Sequence, residues 1–200
     1  MKTHILFVID ESGSMGTKRS DVISGYNTFL ADQKKLPDEA VLTLVKFNTD
    51  KSVVHASVPI GDAPELSEST YSPGGNTALY DAISEAVRRG DDNPCDRVLC
   101  VVMTDGQEHS SRETTLDQVT AAIKEREGRG TWTFTYLGVD PAQWARQTGV
   151  SAMNTMSYDP NKIGAQMATL SAATATLRSS EVKTSRSFYD TSDDLDKVTK

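Results

Sequence analysis

Apolar positions along this chain recur with two different periods. Ile5-Leu-Phe-Val-Ile9 and Val98-Leu-Cys-Val-Val-Met103 are continuous apolar runs, the pattern of strands buried on both faces. Ala40-Val-Leu-Thr-Leu-Val-Lys-Phe47 predicts a further strand, Asn48-Thr-Asp50 a turn, and Ser52 to Ile60 a hairpin partner. Trp132, Phe134 and Tyr136 alternate with threonines, so a strand over Thr131–Val139 should turn its aromatic face toward helices. A brief strand is expected around Ala152–Tyr158.

Between these runs the spacing changes to threes and fours. Val22, Tyr26, Phe29 and Leu30 predict a helix over Ser20–Leu36, closed by Pro37. Leu79, Ala82, Ile83, Ala86 and Val87 form one stripe of a helix opened by Thr77 and ended by Gly90 and Pro94. Leu116, Val119 and Ile123 mark a helix over Thr115–Glu127. Pro141 fits the first turn of a short helix ending near Gly149. A last helix, Asn161–Arg178, carries Ile163, Met167, Leu170, Ala173 and Leu177. A coiled-coil seam would need an apolar residue at Thr174 and more heptads, so docking against the sheet is the better reading.

Strands alternating with helices predict an α/β fold: a doubly wound, Rossmann-like three-layer sandwich. Its six-stranded sheet should be mostly parallel, with Ser52–Ile60 as one antiparallel edge strand. Residues 1–178 form the expected domain. Residues 179–200 are rich in Ser, Thr, Asp and Lys and read as a flexible polar tail.

The net charge of −7 opposes nucleic-acid binding, which needs clustered Lys and Arg. No 18-residue apolar stretch or charged-then-apolar leader is visible, so neither a membrane span nor a secretory signal is expected and the compartment is read as cytoplasmic. Cys95 and Cys100 lack the partners of a zinc site, and Cys100 reads as a buried thiol.

The chemistry-bearing residues sit where strands end or helices begin. Asp10-Glu-Ser-Gly-Ser14 follows the first strand and presents a carboxylate and two hydroxyls at alternate positions, Asp10, Ser12 and Ser14. Gly74-Gly-Asn-Thr77 and Thr104-Asp105-Gly106 are two more such loops. In an open parallel sheet, ligands bind beyond the carboxyl ends of the strands, where strand order reverses. If the first strand and the Arg97–Thr104 strand are neighbours there, Asp10 and Asp105 face one crevice and Thr77 reaches in from the side. Two carboxylates and three hydroxyls suit a hard cation such as Mg2+, with Mn2+ or Ca2+ as substitutes. Glu11, Gln107, Glu108 and His109 border this set or are plain solvated loop. His4 and His55 lie in strands and read as structural.

Asp10 at the end of a first strand also suits an aspartyl nucleophile in a Mg2+-dependent phosphoryl-transfer enzyme of the haloacid dehalogenase type. Such an enzyme wants a second Asp two positions on, where this chain has Ser12. A phosphate loop fails because no Gly-Lys-Ser/Thr follows Gly13-Ser-Met-Gly16, and no Gly-x-Ser-x-Gly elbow surrounds Ser12 or Ser14.

Asp10-Glu-Ser-Gly-Ser14, Gly75-Asn-Thr77 and Thr104-Asp105-Gly resemble, in order and separation, the three parts of the metal-ion-dependent adhesion site of von Willebrand factor A domains. The resemblance covers roughly residues 3 to 178, and with Asn27-Thr-Phe-Leu30 it is nearest to the stand-alone prokaryotic or phage members. It implies that Ser12, Ser14 and Thr77 coordinate Mg2+ through hydroxyls and that Asp10 and Asp105 act directly or through water. It also implies a non-enzymatic binding module whose metal accepts an Asp or Glu of a partner protein. The chain is expected to be a monomer. Asp193-Asp-Leu-Asp196 offers carboxylates to a neighbouring molecule's metal as a route to self-association, against the simpler reading of a solubilising tail.

Overall fold

The computed structural model describes residues 1–93 and 95–190. Six strands, β1 (Thr3–Asp10), β2 (Ala40–Phe47), β3 (Lys51–Pro59), β4 (Arg97–Met103), β5 (Trp132–Gly138) and β6 (Thr155–Ser157), form one sheet in the order β3-β2-β1-β4-β5-β6. All neighbours run parallel except β2 and β3, whose hairpin makes β3 an antiparallel edge. The unbroken apolar runs of β1 and β4 are explained by their place, because they pair with each other at the centre. Strand order reverses between them, which makes the crevice beyond Asp10 and Met103 the switch point of the sheet.

The helices α1 (Arg19–Lys34) and α5 (Ile163–Ser179) cover one face, with Phe7, Phe29, Met167 and Leu170 in the shared core. The opposite face carries α2 (Leu79–Asp92), α3 (Leu116–Gly128) and α4 (Pro141–Thr148), packed through Ile83, Ile123 and Trp144 on Leu6, Val102 and Phe134. Alternation puts Trp132, Phe134 and Tyr136 against this helical layer, as the sequence pattern predicts. Among the described residues, no helix is long and apolar enough to cross a membrane.

Several boundaries differ from the sequence expectation for identifiable reasons. Gly90 does not end α2, which continues to Asp92; a Cβ there would come within 2.4 Å of Trp132 and 2.9 Å of Leu6. Its role is to let the helix approach the sheet. Likewise, α2 begins at Leu79, not at Thr77. Thr77 lies in the preceding loop, held by its carbonyl, which accepts the amides of His109 and Ser110. A 3-10 turn over Ala152–Asn154 takes up the start of the expected last strand, leaving Thr155–Ser157.

The largest departure concerns the polar stretch after α5. Residues 180–190 do not hang free of the sheet as a flexible tail would. Thr184 donates to the Trp132 carbonyl at 2.7 Å, Ser185 N–H donates to Thr133 Oγ1 at 2.9 Å, and Phe188 is buried in the core beside α5. Asn154 holds both sides of this segment, donating to the Ser185 carbonyl and accepting from Phe188 N–H. The threonines on the second face of β5 are thus hydrogen-bonding partners for a docked strap. Asp193-Asp-Leu-Asp196 lies outside the described residues.

Candidate metal centre

Asp10 is the last residue of β1, fully buried. Its Oδ1 accepts the Ser12 amide at 2.6 Å, and its Oδ2 accepts the Thr104 hydroxyl at 2.5 Å. The first bond folds the chain sharply after β1. The second ties β1 to the chain leaving β4. Met15, fully buried, anchors the 3-10 turn Gly13–Lys18 that follows. That turn carries Ser14 Oγ to 3.1 Å from Ser12 Oγ. From there Ser14 Oγ donates to Asp105 Oδ1 at 2.6 Å, across 91 residues of sequence.

The third loop closes on the first. Gly13 N–H donates to the Gly75 carbonyl at 3.1 Å, and Gly74 N–H to the Glu11 carbonyl at 2.9 Å. Gly75 has φ +76°, and a Cβ there would come within 2.6 Å of Thr49 Oγ1, so the position requires glycine. Thr77, nearly buried, follows. Its Oγ1 and Asp10 Oδ2 lie 3.2 and 3.9 Å from the point a Cβ on Gly106 would occupy. All five residues singled out by the sequence therefore converge at the switch point: Asp10, Ser12, Ser14, Thr77 and Asp105. Gly106 is the gap between them.

Burial pushes the Asp10 carboxyl above its ordinary value. Donation from Thr104 and Ser12 opposes this, and the charge of Asp105 adds to it. Among the described residues, no Lys, Arg or His pairs with Asp10 or Asp105. Two neighbouring carboxylates without a protein cation, framed by hydroxyl oxygens, fit a hard divalent ion. Among the described residues no group of three or more His, Cys, Asp or Glu is placed to hold a metal, so any ion here would depend on the hydroxyls to complete its shell, and the set offers no Cys or His to favour a softer one.

Sequence reasoning missed the shell around this set. Glu11 is buried and not solvated; it pairs with Lys46 at 2.7 Å and accepts the Ser72 amide. Tyr71, which no predicted element contains, donates its hydroxyl to the Asp10 carbonyl at 2.6 Å. Glu108 accepts the amides of Tyr80, Ser110 and Ser111 and so fastens the start of α2 to the loop after β4. Lys46, a lone charge ending an apolar strand, was the visible signal for one of these contacts. Tyr71 and Glu108 act through long-range closure and left no local periodicity. Gln107 and His109 are exposed.

A three-layer α/β sandwich with oxygen-bearing loops at its switch point defines a class of Rossmann-like ligand-binding domain. Within it, the chain matches the von Willebrand factor type A domain model over residues 4–179 and belongs to that family. No curated protein sequence matches it. Among solved structures it is similar to the von Willebrand factor domain of the type V pili tip protein Mfa5 from Porphyromonas gingivalis, at 10% identity and TM-score 0.68, covering 89% of this chain and 96% of that one. A von Willebrand factor type A protein from Catenulispora acidiphila gives 18% identity and TM-score 0.60, covering 87% and 42%. Proximal thread matrix protein 1 from the mussel byssus, with a zinc-occupied MIDAS motif, gives 11% and 0.61, covering 84% and 46%. The chain thus spans less than half the length of the last two proteins.

Proposed function

We propose that this chain is a non-enzymatic, divalent-cation-dependent protein-binding module. Asp10, Ser12, Ser14, Thr77 and Asp105 hold Mg2+, with Mn2+ or Ca2+ as substitutes, and the bound ion accepts an Asp or Glu side chain of a partner protein. The observation that carries the reading is the chain of hydrogen bonds Asp10–Ser12–Ser14–Asp105, the first through the Ser12 amide and the other two between side-chain oxygens, drawn from segments 91 residues apart and without a basic partner among the described residues. When bound, the ion supplies a positive charge at a protein surface that otherwise concentrates carboxylates. The likeness to a pilus tip protein is in keeping with a binding role, and the two free thiols with a reducing, cytoplasmic setting.

Phosphoryl transfer from Asp10 fits the geometry less well. Both of its oxygens already accept hydrogen bonds, and the side chain is fully buried, so it is oriented as a fixed anchor and not as an exposed nucleophile. Calorimetric titration of the chelator-treated protein with Mg2+ and with Mn2+ tests the proposal. One binding site is expected, with Ser12→Ala weakening it about tenfold, in the range for losing a metal-shell interaction. A protein that takes up neither ion, or a Ser12→Ala variant with unaltered affinity, would remove the site.

A further inference from the structure

Toward the amino ends of the parallel strands, away from the metal centre, lies a cavity of about 360 Å³ that the adhesion reading does not use. Three stretches of chain enclose it. They are the last turn of α3 with Lys124, Glu127 and Gly128, the residue Gly149 that closes α4, and the docked strap through Thr184 and Arg186. Thr184 is fixed there by its hydrogen bond to the Trp132 carbonyl, at the start of β5. The length of β5, about 20 Å, separates this cavity from the metal-binding oxygens.

Three charged side chains line the cavity, and the protein leaves all three unpaired. Nearby charges on α3 are paired, since Arg126 and Arg129 each hold Asp91 and Glu125. The exposed cations Lys124 and Arg186 make no side-chain hydrogen bond or ion pair among the described residues, and neither does half-buried Glu127. Burial pushes the Glu127 carboxyl above its ordinary value, and the charge of Arg186 opposes this without closing an ion pair. A half-buried carboxylate without a donor is costly, and a bound donor relieves the cost.

The surrounding charges nearly cancel. The carboxyl ends of α3 and α4 each add roughly half a negative charge. The Lys124 stem lies over Gly149, where a Cβ would fall 3.4 Å from Lys124 Cε, so its charge offsets the end of α4. Glu127 and the end of α3 are left against Arg186. A simple anion would meet Glu127, and a simple cation would meet Lys124 and Arg186. Separated charges with little net charge suit a ligand of the same kind.

We infer that this cavity binds a small zwitterion, a free amino acid or dipeptide carrying one ammonium and one carboxylate group. The ammonium donates to Glu127, the carboxylate accepts from Arg186, and Lys124 adds charge beside Gly149. The volume equals that of about twelve waters at ~30 Å³ each, enough for a molecule of dipeptide size. None of the five metal-site residues lines the cavity, so binding here is independent of Mg2+ and of the function proposed above.

The test titrates alanine and alanylalanine into isotope-labelled full-length protein, in Mg2+ and in chelator, and follows the amide shifts by NMR. At least one of the two should give saturable shifts centred on Gly128, Gly149, Thr184 and Arg186, with the same Kd in both conditions. Its N-acetylated form lacks the ammonium and its amide form lacks the carboxylate; each should bind about tenfold more weakly. Glu127→Gln should remove the discrimination against the acetylated form, and Arg186→Gln that against the amide. Both variants should keep the wild-type Tm, because neither side chain has a partner in the fold. Absence of saturable shifts with either zwitterion overturns the site. So does equal binding of the acetylated or amide form, a shift pattern centred on the metal centre, or discrimination that survives in both folded variants.

Discussion

Asp105→Ala is expected to abolish most of the stabilisation that Mg2+ gives this protein while leaving the metal-free protein as stable as before. Asp105 is half-exposed, and among the described residues its one side-chain hydrogen bond is from the Ser14 hydroxyl, so the lost bond costs about 1 kcal/mol or less. That loss is offset, because the Asp105 charge opposes ionisation of the buried Asp10 and removing it relieves like-charge repulsion. The metal-bound state behaves in the opposite way, since the ion loses one of its two carboxylates. A weakening of about a hundredfold follows, about 2.7 kcal/mol. At a Mg2+ concentration one hundred times the wild-type Kd, the wild type gains about 2.7 kcal/mol and the variant about 0.4 kcal/mol. Thermal unfolding with and without Mg2+ reads both numbers. Equal Mg2+-induced shifts for the two proteins would count against Asp105 as a ligand.

Arg97→Ala should cost the most stability of any change away from the metal centre. Arg97 opens β4 and is fully buried, yet its guanidinium meets carbonyls and no carboxylate. It donates to the Leu177 and Ser180 carbonyls at the end of α5. Arg178 does the same at the end of α1, donating to the Gln33 carbonyl at 2.7 Å and to that of Asp38 at 2.6 Å. Burial lowers the pKa of both groups, against the nearby charge of Asp38. Each cation thus sits at the negative end of a helix and satisfies carbonyls that the helix cannot. Truncating Arg97 leaves those carbonyls buried and opens a cavity, a loss of about 3 kcal/mol. For a chain of this length that is a fall in Tm of about 6–12 °C. Arg97 is separated from the metal centre by the length of β4, about 20 Å, so Mg2+ affinity should not change in the same variant. A coupled loss of both would point to transmission through β4.

The fold was largely legible because burial writes itself into the sequence as periodicity. β1 and β4 are apolar on both faces because they are central, and β3 alternates because one of its faces meets solvent. The convergence of the candidate oxygens at the switch point was legible for a related reason. A hard cation needs oxygens at the ends of strands, and few residue types supply them. Features that depend on chain closure were not legible. Gly90 reads as a helix stop until Trp132 is known to press on it. The polar residues Thr184 and Ser185 give no sign that Thr133 awaits them. Glu11 looked like a solvated neighbour of Asp10, but the Lys46 ammonium closes over it from β2.

The account stands on five oxygen-bearing side chains sharing one ion. Diffraction from crystals of the full chain grown with Mn2+, recorded for anomalous scattering, locates that ion without reference to any partner. The account predicts one strong anomalous peak between the carboxylates of Asp10 and Asp105 and the hydroxyls of Ser12, Ser14 and Thr77, about 2.0–2.3 Å from those that bind it directly. A map with no peak there at saturating Mn2+, or with the ion held by other residues, would contradict it.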